Sequence, residues 1–224
     1  LVGREQALRD LVPTHEFAFQ VLAQQSVKFN QFRRYPLLKA VDWLETNFRP
    51  YNPEEELQVG LFRVPVPMVD MGAFREAVAN ALIHRDFSLT GMNPMVEIFS
   101  DRMEMTNPGM LLPSVKIDRL IDSAPESRNE LFAGLMRRMG ICEERGSGID
   151  KALFYVEVYG LPPIEFVEGS NVFKAILHSP KRFQQMLPEE RLSACYQHCC
   201  LRHVSGQPMT NATFRKRMGL KDTQ

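Results

Sequence analysis

The chain has 224 residues, 44% of them hydrophobic and 24% charged, with 27 Lys+Arg against 27 Asp+Glu and 4 Cys. That apolar fraction fills an ordinary core and that length suits one to two domains, which excludes disordered and fibrous classes. Apolar runs are only a few residues long, far short of the roughly 20 needed to span a bilayer, and no charged-then-apolar leader opens the chain; a cytoplasmic protein is expected.

Cys142, Cys195, Cys199 and Cys200 are too few and too clustered for a disulfide framework, which fits reduced thiols. The start at Leu1 and the end at Gln224 read as those of a piece of a longer protein. The overall neutrality hides an asymmetry. Residues 181–224 hold eight basic side chains against three acidic ones, a balance of +5, which leaves −5 on the first 180 residues. A basic tail on an acidic body suggests one part that meets phosphate, although a solvated basic face would look the same.

In chain order, residues 17–25 (FAFQVLAQQ) read as a strand, and Tyr35-Pro36 opens a helix through LLKAVDWLETNF that Pro50 and Pro53 stop. Residues 57–66 (LQVGLFRVPV) are β-rich, with Pro65 and Pro67 placing the end at a sheet edge or turn. A helix is expected from Gly72 to about His84, then a strand pair at 95–100 and 103–106. The turn Asn107-Pro108-Gly109 closes the second strand. A long loop, 110–127, has the length of a lid or binding loop. Helices over 129–139 and from about Gly148 to Tyr159 come next, then a closing hairpin at 164–167 and 171–177. Strands mixed with helices without strict alternation predict an α/β (α+β) two-layer sandwich, one mixed sheet with helices on one face. From Leu187 the texture changes: PEERLSACYQHCCLRHV and a helix over 210–218, capped by Thr210 or Asn211, read as a second, smaller domain over 187–224 after a first over 1–180.

The helix REAVANALIHRDF carries Phe74, Ala77, Val78, Ala81 and Leu82 on one face and Glu76, Asn80 and His84 at intervals of four along a flank. A carboxylate one turn from a carboxamide can position water beside a phosphate while the amide oxygen ligates Mg²⁺; three polar residues at a helix edge are the plainer reading. In Glu143-Glu144-Arg145-Gly146-Ser147-Gly148, two glycines at a helix entrance expose backbone amides at the positive end of the helix dipole, a favourable anion site or simply a tight connection.

The order and separation of these blocks carry a resemblance. REAVANALIHRDFS, VEIFSDRMEMTNPGMLLP and SRNELFAGLMRRMGICEERGSGIDKAL, followed by a β pair, resemble the ATP-binding module of bacterial proteins described as RecG-related ATP-dependent DNA helicases or transcriptional regulators. That module is similar to the nucleotide-binding domain of the GHKL group: gyrase, the Hsp90 chaperones, histidine kinases and MutL. The resemblance covers about residues 1–180. It implies ATP and Mg²⁺ as cofactors, Glu76 as hydrolytic base and Asn80 as Mg²⁺ ligand. It also implies a nucleotide site built from Asn80, His84, Asn107, Gly109, Arg145, Gly146, Ser147 and Gly148, with 110–127 as lid. Asn107 stands where the family has an adenine-reading Asp, so its amide must present its oxygen, and ATP binding is expected more firmly than hydrolysis. No GxxxxGK[ST] loop occurs, so helicase activity is not expected. His84-Arg85-Asp86 lacks the following Asn of a kinase catalytic loop, position 91 being Gly.

The family also implies a C-terminal winged helix, whose start 186–220 resembles. Residues 210–218 would be its supporting helix, with Arg215, Lys216 and Arg217 touching DNA phosphates. Cys195, Cys199, Cys200, His198 and His203 lack the CxxC pair of a tetrahedral zinc site and read as packing. Three functions follow. One is a nucleotide-responsive, DNA-binding transcriptional regulator, and another is a weak ATPase. The third is a scaffold that has lost its ligand and serves homodimerisation or partner binding.

Overall fold

The computed structural model describes residues 3–23, 26–59, 61–121, 126–142 and 148–220. Its centre is a six-stranded mixed sheet of order β2-β1-β5-β6-β8-β7. The strands are β1 (Phe17–Ala23), β2 (Ser26–Arg33), β5 (Met95–Ile98), β6 (Arg102–Pro108), β7 (Glu165–Gly169) and β8 (Val172–His178). Only β1 and β5 run parallel; every other pairing in this sheet is antiparallel. The chain between those two holds the helices α2 (Leu37–Phe48) and α3 (Met71–His84), as a parallel connection requires a long crossover.

Two strands and one helix depart from the sequence expectation. The strand read over 17–25 ends at Ala23 and returns as β2, an edge strand with no fully buried residue, whose polar SVKFNQFR gives little alternation to read. The β-rich stretch 57–66 is two strands, β3 (Glu54–Val59) and β4 (Phe62–Pro67), which pair in a separate hairpin. Pro65 is tolerated there because a two-stranded sheet leaves each strand one unpaired edge. The helix α1 (Glu5–Leu11) buries only Leu8, too little apolar surface to leave a periodic signal.

One sheet face is apolar and carries the helices. Phe17, Phe19, Val96, Ile98, Met103, Met105 and Leu177 are buried there. The other face is polar: Glu104 lies between Arg102 (2.7 Å) and Lys174. Helix α3 is the central helix. Asp70 caps it, accepting from the backbone amides of Gly72 (2.6 Å) and Ala73 (3.2 Å). Phe74, Val78, Ala81 and Leu82 are buried as the periodicity requires, but Ala73, Ala79 and Ile83 are buried as well, because α2, α4 (Glu130–Arg138) and α5 (Gly148–Val158) pack around it. Phe74 stacks on Phe48 of α2 with ring centroids 4.2 Å apart, and burying a side chain of that size contributes about 1.5–3 kcal/mol.

The C-terminal helices α6 (Pro188–Val204) and α7 (Asn211–Arg217) share a small cluster of Met186, Ala194 and Met218. Thr210 caps α7, accepting from the amide of Thr213 (3.2 Å). Helix α6 docks on α5 and on the chain ahead of β7. The Gln197 carboxamide accepts from the Ile164 amide (3.2 Å) and donates to the Ile164 carbonyl (2.7 Å). The Glu157 carboxylate at the end of α5 meets both His198 and Arg217.

Candidate functional site

A cavity of about 200 Å³ lies between α3, the ends of β6 and β8, and the loop that follows β6. Glu76, Asn80 and His84, one turn apart on α3, all line it, and so do Asn107 and Gly109. Residues distant in sequence therefore share one wall. The loop 110–127 borders the same space through Met110, Leu111, Leu112, Val115 and Glu126, and the Leu111 amide donates to Glu168 Oε1 (2.9 Å). Gly148 is the first residue of α5 and the next residue, Ile149, lines the cavity. Arg145, Gly146 and Ser147 lie outside the described residues.

Asn107 belongs to β6 and not to a turn beyond it. The strand runs on through Pro108, which pairs with Val172 of β8 on one side and has no partner in β5 on the other, so its missing N–H breaks no ladder. On a strand, alternate residues share a face, so Asn107 points with Met105 into the cavity. It is 4% exposed, and its carboxamide oxygen has no hydrogen-bond partner among the described residues. A buried acceptor left unpaired costs about 1–3 kcal/mol, so this oxygen favours any ligand that brings a donor.

Gly109 has φ of 117°, and a Cβ there would lie 3.0 Å from the Asp86 Cβ. The close approach joins the end of β6 to the end of α3, where the Asp86 amide donates to the Pro108 carbonyl (2.9 Å); the Gly109 amide donates instead to the Asn171 carbonyl (2.8 Å), in the turn between β7 and β8. Gly109 thus shapes the wall through its backbone.

Two residues that the sequence reading left unassigned close the C-terminal end of α3. The Asn129 carboxamide donates to the carbonyls of Ile83 and Arg85, both at 2.8 Å, and makes no capping bond to α4, the helix it precedes. The Arg128 guanidinium donates to the His84 carbonyl (3.1 Å) and the Met110 carbonyl (2.8 Å) and faces the Asp86 carboxylate at 3.7 Å. Carbonyls at a helix end lack intrahelical partners, and these side chains supply them. Asn129 reads in sequence as the start of α4 and Arg128 falls between loop and helix, which concealed their roles.

Electrostatics divide the wall. Burial, followed by the positive charge of Arg128, lowers the His84 pKa, so His84 presents a neutral imidazole. Asp86 is held below the usual carboxylate range by hydrogen bonds from Ser88, then by Arg128. Arg85, fully buried, turns away from the cavity to the carbonyls of Thr14, Glu16 and Met92, and burial pulls its pKa down to about 10.

The expected phosphate contacts on α7 divide too. Lys216 is exposed and Arg215 half-buried. Arg217 is a correction: its side chain is 2% exposed, paired with Glu157 at 2.5 Å and donating to the Ala194 carbonyl (2.5 Å), so it fastens α7 inward and does not reach toward solvent.

Against known proteins, residues 91–177 match the family model described as "Putative ATP-dependent DNA helicase recG C-terminal". The match begins after α3, so Asn107 and Gly109 fall inside it while Glu76, Asn80 and His84 precede it. No curated protein matches the chain. Among solved structures, the DIP2311 protein from Corynebacterium diphtheriae superposes with a TM-score of 0.70 at 18% identity, covering 97% of this chain and 47% of that one. The chain therefore spans about half the length of that protein, and the likeness is one of fold. The matched segment, 87 of the 224 residues, is similar to that family and runs from β5 into β8, so it holds strands whose ends border the cavity.

Proposed function

We propose that the cavity binds ATP or a closely similar nucleotide and that the chain is the nucleotide-sensing part of a transcriptional regulator. The unpaired carboxamide oxygen of Asn107 carries this reading. It is a buried acceptor suited to an exocyclic amino group, in a largely apolar cavity that also holds a carboxylate and an amide one turn apart. No group of three or more His, Cys, Asp or Glu able to hold a metal occurs among the described residues. Mg²⁺ would be held jointly by Asn80 and ligand phosphates, the usual arrangement for an ion that keeps most of its water. Glu76, on the same wall, is suited to orient a water toward a phosphate.

The basic helix α7 supports the DNA-binding half of the reading through Lys216 and Arg215. Glu157, at the far end of the helix whose first turn borders the cavity, grips Arg217 on α7 and so links the two regions. Calorimetry with ATP and Mg²⁺ tests the ligand. The parent protein should bind, and the Glu76→Ala, Asn80→Ala double variant should bind far more weakly. No binding by the parent at millimolar nucleotide overturns the proposal. Phosphate release equal to that of Glu76→Gln assigns the site to binding without hydrolysis.

A further inference from the structure

A ligand with several negative charges needs a cation in the cavity, and the described wall offers few. His84 is neutral, and Glu76 and Glu126 add negative charge. The Arg128 guanidinium is engaged by the carbonyls of His84 and Met110 and by the Asp86 carboxylate. Arg137 differs. It stands in the last turn of α4, half-buried on the cavity wall, and its guanidinium makes no hydrogen bond or ion pair with any described residue. Met136 beside it is fully buried, which fixes the helix face and the direction in which Arg137 can reach.

The chain past α4 brings the start of α5 to the same wall. Gly140, with φ of 67°, turns the backbone; the Gly140 amide donates to the Arg137 carbonyl and the Ile141 amide to the Met136 carbonyl, both at 3.0 Å. Cys142 and, in the first turn of α5, Ile149 then line the cavity with Arg137. The positive end of an 11-residue helix and the Arg137 guanidinium thus border one space, with Asn107 on the sheet side of it.

We infer that Arg137 holds the phosphate chain of the ligand, so that the cavity selects nucleoside polyphosphates over the free nucleoside. The inference rests on the nucleotide reading above. Titration of the full chain with ATP, ADP, AMP and adenosine, in Mg²⁺, tests it. Affinity in the parent should fall stepwise from ATP to adenosine. Arg137→Ala should lose about 10- to 100-fold for ATP, the range of a lost charge-assisted hydrogen bond, and hold adenosine within about twofold. The retained adenosine binding reports an intact fold, and Arg137→Lys should recover part of the loss by restoring the charge without the fork. Equal ATP affinity in Arg137→Ala and the parent, or equal affinity of the parent for ATP and adenosine, overturns this inference and leaves the nucleotide reading standing. A parent that binds neither ATP nor adenosine overturns both.

Discussion

His15 and Asn107 are both buried polar side chains with an atom left unpaired, and they lead to different consequences. His15 is fully buried, its Nε2 2.7 Å from the Tyr35 carbonyl and its ring edge-on to Phe17. Burial lowers its pKa from 6.5 to about 4. Between those values the unfolded chain binds a proton that the folded chain does not, so stability falls as pH drops through that window and levels below about 4. From about pH 7.5 to about pH 5 the contribution is a loss of about 2 kcal/mol. Urea unfolding at both values should show the parent losing about that much more stability than His15→Gln; equal losses would refute it. Glu76 and Asn80 stood out in the sequence because their types and spacing carry chemistry, and Asn107 only through the family resemblance. The sequence could not mark His15, Arg128 or Arg137, whose meaning lies in what surrounds them: a carbonyl 20 residues away, a helix end 44 residues back, and a place on the cavity wall with no partner among the described residues.

Elements with one apolar face were legible, and those without were not. Helices α2, α3, α4 and α5 fall within a residue or two of the ranges their periodicity gives, as do β5 and β8. The edge strand β2 has no fully buried residue, and in the hairpin β3–β4 three consecutive glutamates open β3 while Phe62 of β4 is exposed, so neither gives a clear pattern. The junction of β6 and α3 is where element geometry governs the site. At Gly109 a side chain meets two penalties together: a positive φ of 117° and a Cβ 3.0 Å from Asp86. At Gly91, φ is 76° with nothing within 4 Å, so only the backbone term applies. Gly109→Ala should therefore lose about 2–3 kcal/mol in urea unfolding and Gly91→Ala about 1 kcal/mol. Equal losses at the two positions would mean that the contact with Asp86 relaxes freely and does not hold the cavity wall.

For the whole molecule, the change of texture after residue 180 marks a real change in composition, yet composition cannot say whether α6 and α7 stand alone. Their shared core is Met186, Ala194 and Met218 with Phe183, Phe214 and Leu220 against it. Segments below about 40 residues rarely bury enough to fold without further support. Support comes from the rest of the chain: Gln197 bridges both backbone groups of Ile164, Cys200 and Leu201 pack on the main core, and Glu157 holds His198 and Arg217. The neutral total conceals this arrangement, because the basic tail includes an arginine turned inward to an acid of the body. Trp43, the sole tryptophan, sits against Tyr35 and Phe19 in the main core and reports its unfolding, whereas far-UV circular dichroism also follows α6 and α7. In the parent the two signals should melt together, as one cooperative unit requires. Glu157→Ala leaves Arg217 buried without its carboxylate, a loss of about 3 kcal/mol that falls on the docking of the C-terminal helices. In that variant helicity should begin to fall at a lower temperature than the Trp43 signal. Separate transitions already present in the parent would show that the C-terminal helices fold on their own core, and that the Glu157 link couples two stable bodies without being the condition for the smaller one.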